Sequence, residues 1–341
     1  MSTKTKKRII IYVAVVIVLY LLIYTVPSVS SLFKGTYSAK YGQLRVEDEA
    51  TGYIVRNEIV YVSTSGGSVN RFAKEGDLVR KGTTIMEVTG SSEEEPSHAL
   101  ADIVSELDEH KVSTSDFVAK DGGIVSFYVD GYEEELNSDN VAATSFDTFN
   151  KIKKNDVTEL SKRKIKGGEP AFKIIDKDRW YLVAYVDLKD KDRYLEGSTI
   201  SVEFRELGKK NEPLSVDMQV KKVKKQSGKL KVVLECSRYF EEYASIRVAK
   251  VNLITSDVTG IIIDNDSITE KKDKKGVYVR DKKGNDVFVP VRVIATDGKE
   301  SAVAESYFFD SDGERVETVS PYDDILKNPA KAREAKTKKS K

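Results

Sequence analysis

Distinct hydrophobic textures succeed one another along this chain. Ile9 to Val26 (IIIYVAVVIVLYLLIYTV) is an unbroken apolar and aromatic run without a charge. As a helix it would rise ~27 Å, close to the ~30 Å hydrocarbon core of a bilayer. From Gly52 the texture changes to short runs such as GYIVRNEIVYVST, GSVNRF and TTIMEVTG, rich in β-branched and aromatic residues and broken by Gly, Asn and Asp. Such runs predict successive strands joined by tight turns. In SVDMQVKKV apolar and polar residues alternate, the pattern of a strand with one buried face. Between these β segments, SSEEEPSHALADIVSELDEH places Leu100, Ile103, Val104 and Leu107 at helical spacing, with Pro96 at the entrance and Ser97 able to cap. One helix of about 12–14 residues is expected there. Further on, RDKKGND, ATDGKES and the DSDGE phrase at Asp310 to Glu314 have the chemistry of hairpin turns.

Charge gives the apolar run its orientation. Lys4, Lys6, Lys7 and Arg8 precede it, and a basic flank holds the N-terminus in the cytoplasm. Ser28-Val29-Ser30 offers a small-residue cleavage site, but the apolar region of a signal peptide normally runs only ~7–15 residues, which favours an uncleaved anchor. The body would then lie outside the membrane, and a lone Cys236 fits an exported chain without an intrachain disulfide. Few cysteines and many lysines suggest a single-membrane bacterium. The balance of 56 Lys+Arg against 55 Asp+Glu, a formal net charge of +1, offers no general attraction to nucleic acid.

A doubled phrase stands out. TSGGSVNRF and KDGGIVSFY each set a paired glycine before an apolar alternation; aligning Gly66 and Gly67 with Gly122 and Gly123 superposes Val69 on Val125 and Phe72 on Tyr128. A glycine pair before a strand serves a turn with positive φ or a close backbone approach. Two such β halves around a helical insert suggest a pseudo-symmetric sandwich. Gly66, Gly67, Gly76, Gly82, Gly122 and Gly123 are therefore read as structural, as is Trp180 in DRWYLVAYV, where a buried strand aromatic is favoured over a ligand-stacking one.

In this order the phrases resemble the membrane fusion, or HlyD-like periplasmic adaptor, proteins. EGDLVRKG (Glu75 to Gly82) and its echo IKGGEPAFKI resemble the two halves of their split lipoyl-like barrel-sandwich hybrid. TGIIIDNDSI resembles the GLxVPxSAI phrase that opens their membrane-proximal domain, with Asp264 in place of Pro and Ser267 in place of Ala; KKGVYV resembles the strand that follows. The resemblance covers Gly52 to Pro329. It implies a mainly β chain with a single N-terminal transmembrane helix, a barrel-sandwich hybrid, a β-barrel and a membrane-proximal β domain. The expected layout is a basic cytoplasmic N-terminus (1–8), the transmembrane helix (9–26), a stalk (27–51) and the hybrid (52–178) with its helical insert (91–118). The barrel (179–254), the membrane-proximal domain (255–329) and a basic disordered tail (330–341) follow.

The resemblance further implies a non-enzymatic adaptor that assembles, as a homo-oligomer, with a membrane transporter (an ABC-type or other permease) for export across the envelope. Exporters of that family carry two long helices that reach an outer-membrane duct; here the insert holds one short helix, which points to a partner near the same membrane. The alternative is an extracytoplasmic scaffold of an envelope or cell-division complex. Leu100, Ile103, Val104 and Leu107 could meet a partner or pack on their own domain. No cofactor is implied: Lys81 lies in an ordinary turn, without the flanking phrase of a lipoyl or biotinyl lysine. His98 and His110 lack metal-ligand spacing. The DSDGE phrase has Arg315 where a calcium loop needs Gly. No G-x-S-x-G or P-loop phrase occurs.

Overall fold

A computed structural model of the chain describes residues 12–18, 20, 35–92, 95–152, 157–208, 212–238 and 240–332. Of the apolar run, residues 12–18 and Tyr20 are helical and exposed; the remainder of that expected span, the basic segment at 1–8 and the tail from 333 lie outside the described residues. No described helix is long and apolar enough to cross a membrane. The rest is mainly β and divides into two compact units, one of residues 47–255 and one in which the chain up to 46 joins 256 onward.

The spine of the first unit is the strand Pro170–Val186. Its first part pairs antiparallel with residues 58–62 on one side and with Gly123–Ser126 on the other. Its second part pairs with residues 52–56 and with Lys229–Cys236. The register shifts between Ile175 and Trp180, where the polar phrase DKDR interrupts two apolar runs. Each part builds its own core. Residues around Val60, Ile85, Phe117, Val125 and Phe172 fill the first. Trp180 and Leu182 of the spine belong to the second, with Val202, Phe204, Val216, Val232 and Leu253 from the strands Thr199–Phe204, Leu214–Gln226, Lys229–Cys236 and Val248–Asp264, the first three of which pair in sequence. The β half, helix, β half order expected from the sequence is present, with the helix at His98–Glu106.

In the second unit Thr36–Ser38 pairs with Asp324–Leu326, which neighbours Lys274–Arg280. Ala39 is fully buried with Ile261, Val277, Val303 and Ile325. Residues 36–38 and 40–51, expected to form part of a stalk, are therefore strand: Leu44 and Val46 alternate inward, 5% and 3% exposed. The turn phrases are hairpins here. Asp281 Oδ1 accepts from the backbone N–H groups of Lys283 and Asn285, both at 2.8 Å. Asp310 Oδ1 does the same for Asp312 and Glu314, at 3.1 and 3.0 Å, between the strands Tyr307–Phe309 and Arg315–Glu317.

Candidate functional site

The two glycine phrases occupy matching places in the sandwich. Gly67 lies in the strand Gly66–Arg71, paired with Met86–Ser92; Gly123 lies in Gly123–Ser126, paired with the spine. A Cβ on Gly67 would fall 2.6 Å from the Thr89 carbonyl oxygen, and one on Gly123 would collide with the carbonyl oxygen of Ile175. Both positions need a backbone without a side chain. Four residues before them, Ser63 and Ala119 make the same exchange with the opposite half. Ser63 accepts from Gly168 N at 2.7 Å and donates to the Glu169 carbonyl at 2.9 Å; Ala119 accepts from Gly82 N at 2.8 Å and donates to the Thr83 carbonyl at 2.9 Å. Gly76 and Gly82 have φ of 81° and 87°. Gly66 is buried beside Gly67, while Gly122 is exposed, its nearest neighbour being the Val79 carbonyl at 3.4 Å from where a Cβ would stand.

The insert is shorter than its periodicity suggests. His98–Glu106 is helical over nine residues, and Leu107 already has extended backbone. Ser97 makes no side-chain cap; its N–H donates to Glu169 Oε1 at 3.2 Å instead. Leu100 and Leu107 are buried, 3% and 0% exposed, and Ile103 and Val104 pack against the same sandwich core. The structure thus turns this apolar face onto its own domain, with Ile103 and Val104 only partly covered; Asp102, Ser105 and Glu106 face solvent. Behind the helix, Glu134 Oε2 accepts from the backbone N–H groups of Asp108, Glu109 and His110 and meets His110 Nδ1 at 3.0 Å. His98 is exposed at the helix start.

Where the sandwich part of the spine gives way to the second part, a cluster of opposite charges is buried. Glu58 sits at its centre: Oε1 accepts from Arg56 Nε at 2.8 Å and Lys173 Nζ at 2.7 Å, and Oε2 from Arg247 Nη2 at 2.5 Å. Arg247 also donates from Nε to Asp130 Oδ2 at 2.7 Å, and Lys173 to Glu133 Oε1 at 3.1 Å. None of these side chains is more than 4% exposed. The remaining donors are satisfied too. Arg56 donates to the carbonyls of Tyr243, Ala244 and Ile246, and its guanidinium stands 5.1 Å from the Tyr243 ring centroid. Glu133 accepts from the N–H groups of Asp130 and Gly131 at 3.0 and 2.9 Å.

Burial pushes the Glu58 carboxyl up, but Arg247, Arg56 and Lys173 together hold it well below the usual carboxylate range. Burial likewise opposes ionisation of Asp130, and Arg247 and Lys173 overcome it. Glu133 goes the other way, pushed up by burial and by the Asp130 charge. Such perturbed groups mark active sites or structural ion-pair networks. The described members of this cluster are all committed to one another or to backbone, with no lining open to a substrate. Its chemistry is that of a joint: it fixes Arg247, beyond the second core's strands, against residues of the sandwich. Sequence reasoning did not single it out. The available signal was a charge inside an apolar run, Arg56 and Glu58 in GYIVRNEIVYV and Lys173 in AFKII.

Trp180 is fully buried, its indole N–H donating to the Arg238 carbonyl at 2.8 Å and its ring among Phe204, Phe240 and Tyr243. It belongs to the core and offers no face to a ligand. Among the described residues no group of three or more His, Cys, Asp or Glu side chains is arranged to hold a metal ion.

Known proteins bear on this architecture. Residues 58–176 match a family model described as the RND-related barrel-sandwich hybrid domain, and residues 180–257 one described as the RND-related beta-barrel domain; together they take in more than half of the chain. None of the curated proteins matches it in sequence. Among solved structures it is similar to MacA from Actinobacillus actinomycetemcomitans, at 10% identity over 86% of this chain and 99% of that one, with a TM-score of 0.37. It is also similar to ZneB from Cupriavidus metallidurans, at 12% identity over 87% and 92% and a TM-score of 0.29. The membrane fusion protein Spr0693 from Streptococcus pneumoniae R6 matches at 12% identity over 62% and 100%, with a TM-score of 0.27.

Proposed function

We propose that this chain, which belongs to the RND-related family with a barrel-sandwich hybrid domain followed by a beta-barrel domain, is a membrane-anchored, non-enzymatic adaptor that assembles with a transporter for export. The observation that carries this reading is the succession of those two domains on one continuous spine, Pro170–Val186, with a charge cluster holding their junction. An adaptor passes position from one partner to another, and a rigid joint serves that role. The apolar run at Ile9 to Val26 supplies the anchor, with the N-terminus in the cytoplasm and the body on the outer side of a bacterial cell membrane. Assembly as a homo-oligomer around the transporter belongs to the same reading.

The length of the insert favours a partner close to that membrane. A helix of nine residues extends only ~14 Å, which also suits a scaffold of an envelope or division complex. A photo-crosslinking residue at Asp102, on the exposed side of the helix, tests the two in living cells. Capture of a multi-span permease is expected. Repeated capture of septal or wall-synthesis proteins, with no permease, would replace the adaptor reading by the scaffold. Protease treatment of intact spheroplasts checks the topology: the body should be digested, and a protected body would reverse the orientation.

A further inference from the structure

A cavity of about 470 Å³ opens in the first unit, lined by no member of the charge cluster or of the helical insert. Its volume lies in the range of ~300–1,000 Å³ typical of small-molecule sites. Its lining includes three cationic residues, Arg205, Lys229 and Lys250, with Glu49 as the acidic counterpart. Glu49 Oε2 accepts from Arg205 Nη1 at 2.8 Å, while Lys250 Nζ donates to the neutral Thr51 hydroxyl at 3.0 Å. Among the described residues no carboxylate lies within ion-pair distance of Lys229 or Lys250. Three aromatic residues, Tyr53, Phe146 and Tyr185, also line it, with Phe146 set edge-on to Tyr185 at 4.7 Å between centroids.

The walls come from rigid elements. Tyr53, Tyr185 and Lys229 project from the strands Lys40–Ser63, Pro170–Val186 and Lys229–Cys236, and Arg205 and Lys250 are neighbours through a 3.0 Å backbone hydrogen bond. Phe146 and Asn150 stand on the short helix Phe146–Lys151. The turn before this helix is fastened from beneath by Lys231, whose Nζ donates to the carbonyls of Val141, Ala142 and Thr144 at 2.8, 3.3 and 2.7 Å and lies 5.2 Å from the Phe149 ring centroid. Burial, with Lys224 nearby, lowers the Lys231 ammonium to about 8. From Met218 to Leu234 the chain carries Lys221, Lys222, Lys224, Lys225, Lys229 and Lys231 and no acidic residue. Of these, Lys229 lines the cavity.

We infer that this cavity binds a small amphipathic organic anion, its sulfonate-, phosphate- or carboxylate-type head against Arg205 and Lys250 and its apolar body against Phe146, Tyr53 and Tyr185. A bare inorganic anion would leave the rings unused, and a neutral aromatic would leave Lys250 without an anionic partner. Both halves of the ligand are required, and this requirement does not depend on which transporter or scaffold the chain serves.

The test is isothermal titration calorimetry of the full chain in lipid nanodiscs, with empty nanodiscs as the blank. The probes are naphthalene-1-sulfonate, uncharged 1-naphthylmethanol and inorganic sulfate. Saturable binding of naphthalene-1-sulfonate at one site per chain is expected, with the two controls at least ~10-fold weaker. The variant Arg205→Gln with Lys250→Gln should weaken it at least ~10-fold, and Phe146→Ala should also weaken it, while Lys222→Gln outside the cavity leaves it unchanged. Thermal melts of each variant establish that it is folded; the two glutamine changes are at surface positions and keep the test valid should Phe146→Ala unfold. Absence of saturable binding, equal affinity for naphthylmethanol, or binding unchanged in the double variant would overturn the assignment.

Discussion

Glu58 and Arg247 stand 189 residues apart in the chain and meet at 2.5 Å in an interior closed to water. Each is held by further partners, Glu58 by Arg56 and Lys173 and Arg247 by Asp130. Removing one member of a buried pair leaves an uncompensated charge, at a cost of about 3–5 kcal/mol. Glu58→Gln and Arg247→Met should each lower stability by about that amount. Urea unfolding followed by the fluorescence of Trp180, the single tryptophan, measures it. A loss below about 1 kcal/mol would show that the cluster does not hold the joint.

Acid should weaken the same joint. Glu58 and Asp130 have depressed folded-state values, so their stabilisation is present above the unfolded carboxylate range of about 4 and is lost as pH falls through the lower folded values. The urea midpoint should therefore drop below about pH 4, and drop less in Glu58→Gln. Glu133 has the opposite sign. Its value is raised by burial and by Asp130, so its contribution is full below about 4 and lost as pH rises through the folded value. Glu133→Gln should thus compare more favourably with the wild type at pH ~8 than at pH ~4. Unfolding across this pH range separates the two behaviours.

The matched glycines should respond alike. At Gly67 and Gly123 the obstacle to a Cβ is a backbone carbonyl on a paired strand, which cannot swing aside as a flexible side chain would. Gly67→Ala and Gly123→Ala should each cost about 1–3 kcal/mol by overpacking. Gly122→Ala, with ordinary room around it, should change stability by less than about 0.5 kcal/mol. Equal losses at all three positions in thermal melts would remove the distinction between close approach and mere glycine content.

The helix offers a further contrast. Leu107 is fully buried in the sandwich core, and Leu107→Ala should cost about 2–5 kcal/mol. Asp102→Ala on the exposed side should stay within about 0.5 kcal/mol. If Leu107→Ala leaves the urea midpoint unmoved, its packing role is wrong.

What was legible in the sequence followed local chemistry. The glycine phrases and the hairpins at Asp281 and Asp310 depend on neighbours within a few residues or on a repeated phrase, and those survive translation into text. The charge cluster did not. Arg56 and Glu58 fall at alternate positions, a spacing that equally describes a wet strand face, and only pairing with residues as distant as Arg247 makes them interior. The strands at 36–38 and 40–51 were hidden for the same reason: Ser38 finds its partner, Asp324, 286 residues away. Helix length was overestimated because periodicity continues through Leu107, whose side chain is buried although its backbone is already extended.

The most direct measurement of the adaptor reading is native mass spectrometry of the full chain released from its own membrane in lipid nanodiscs. Several copies of this chain bound to one multi-span transporter is the expected result. A chain released as a single copy, or in complexes that contain only division or wall-synthesis proteins, would contradict it.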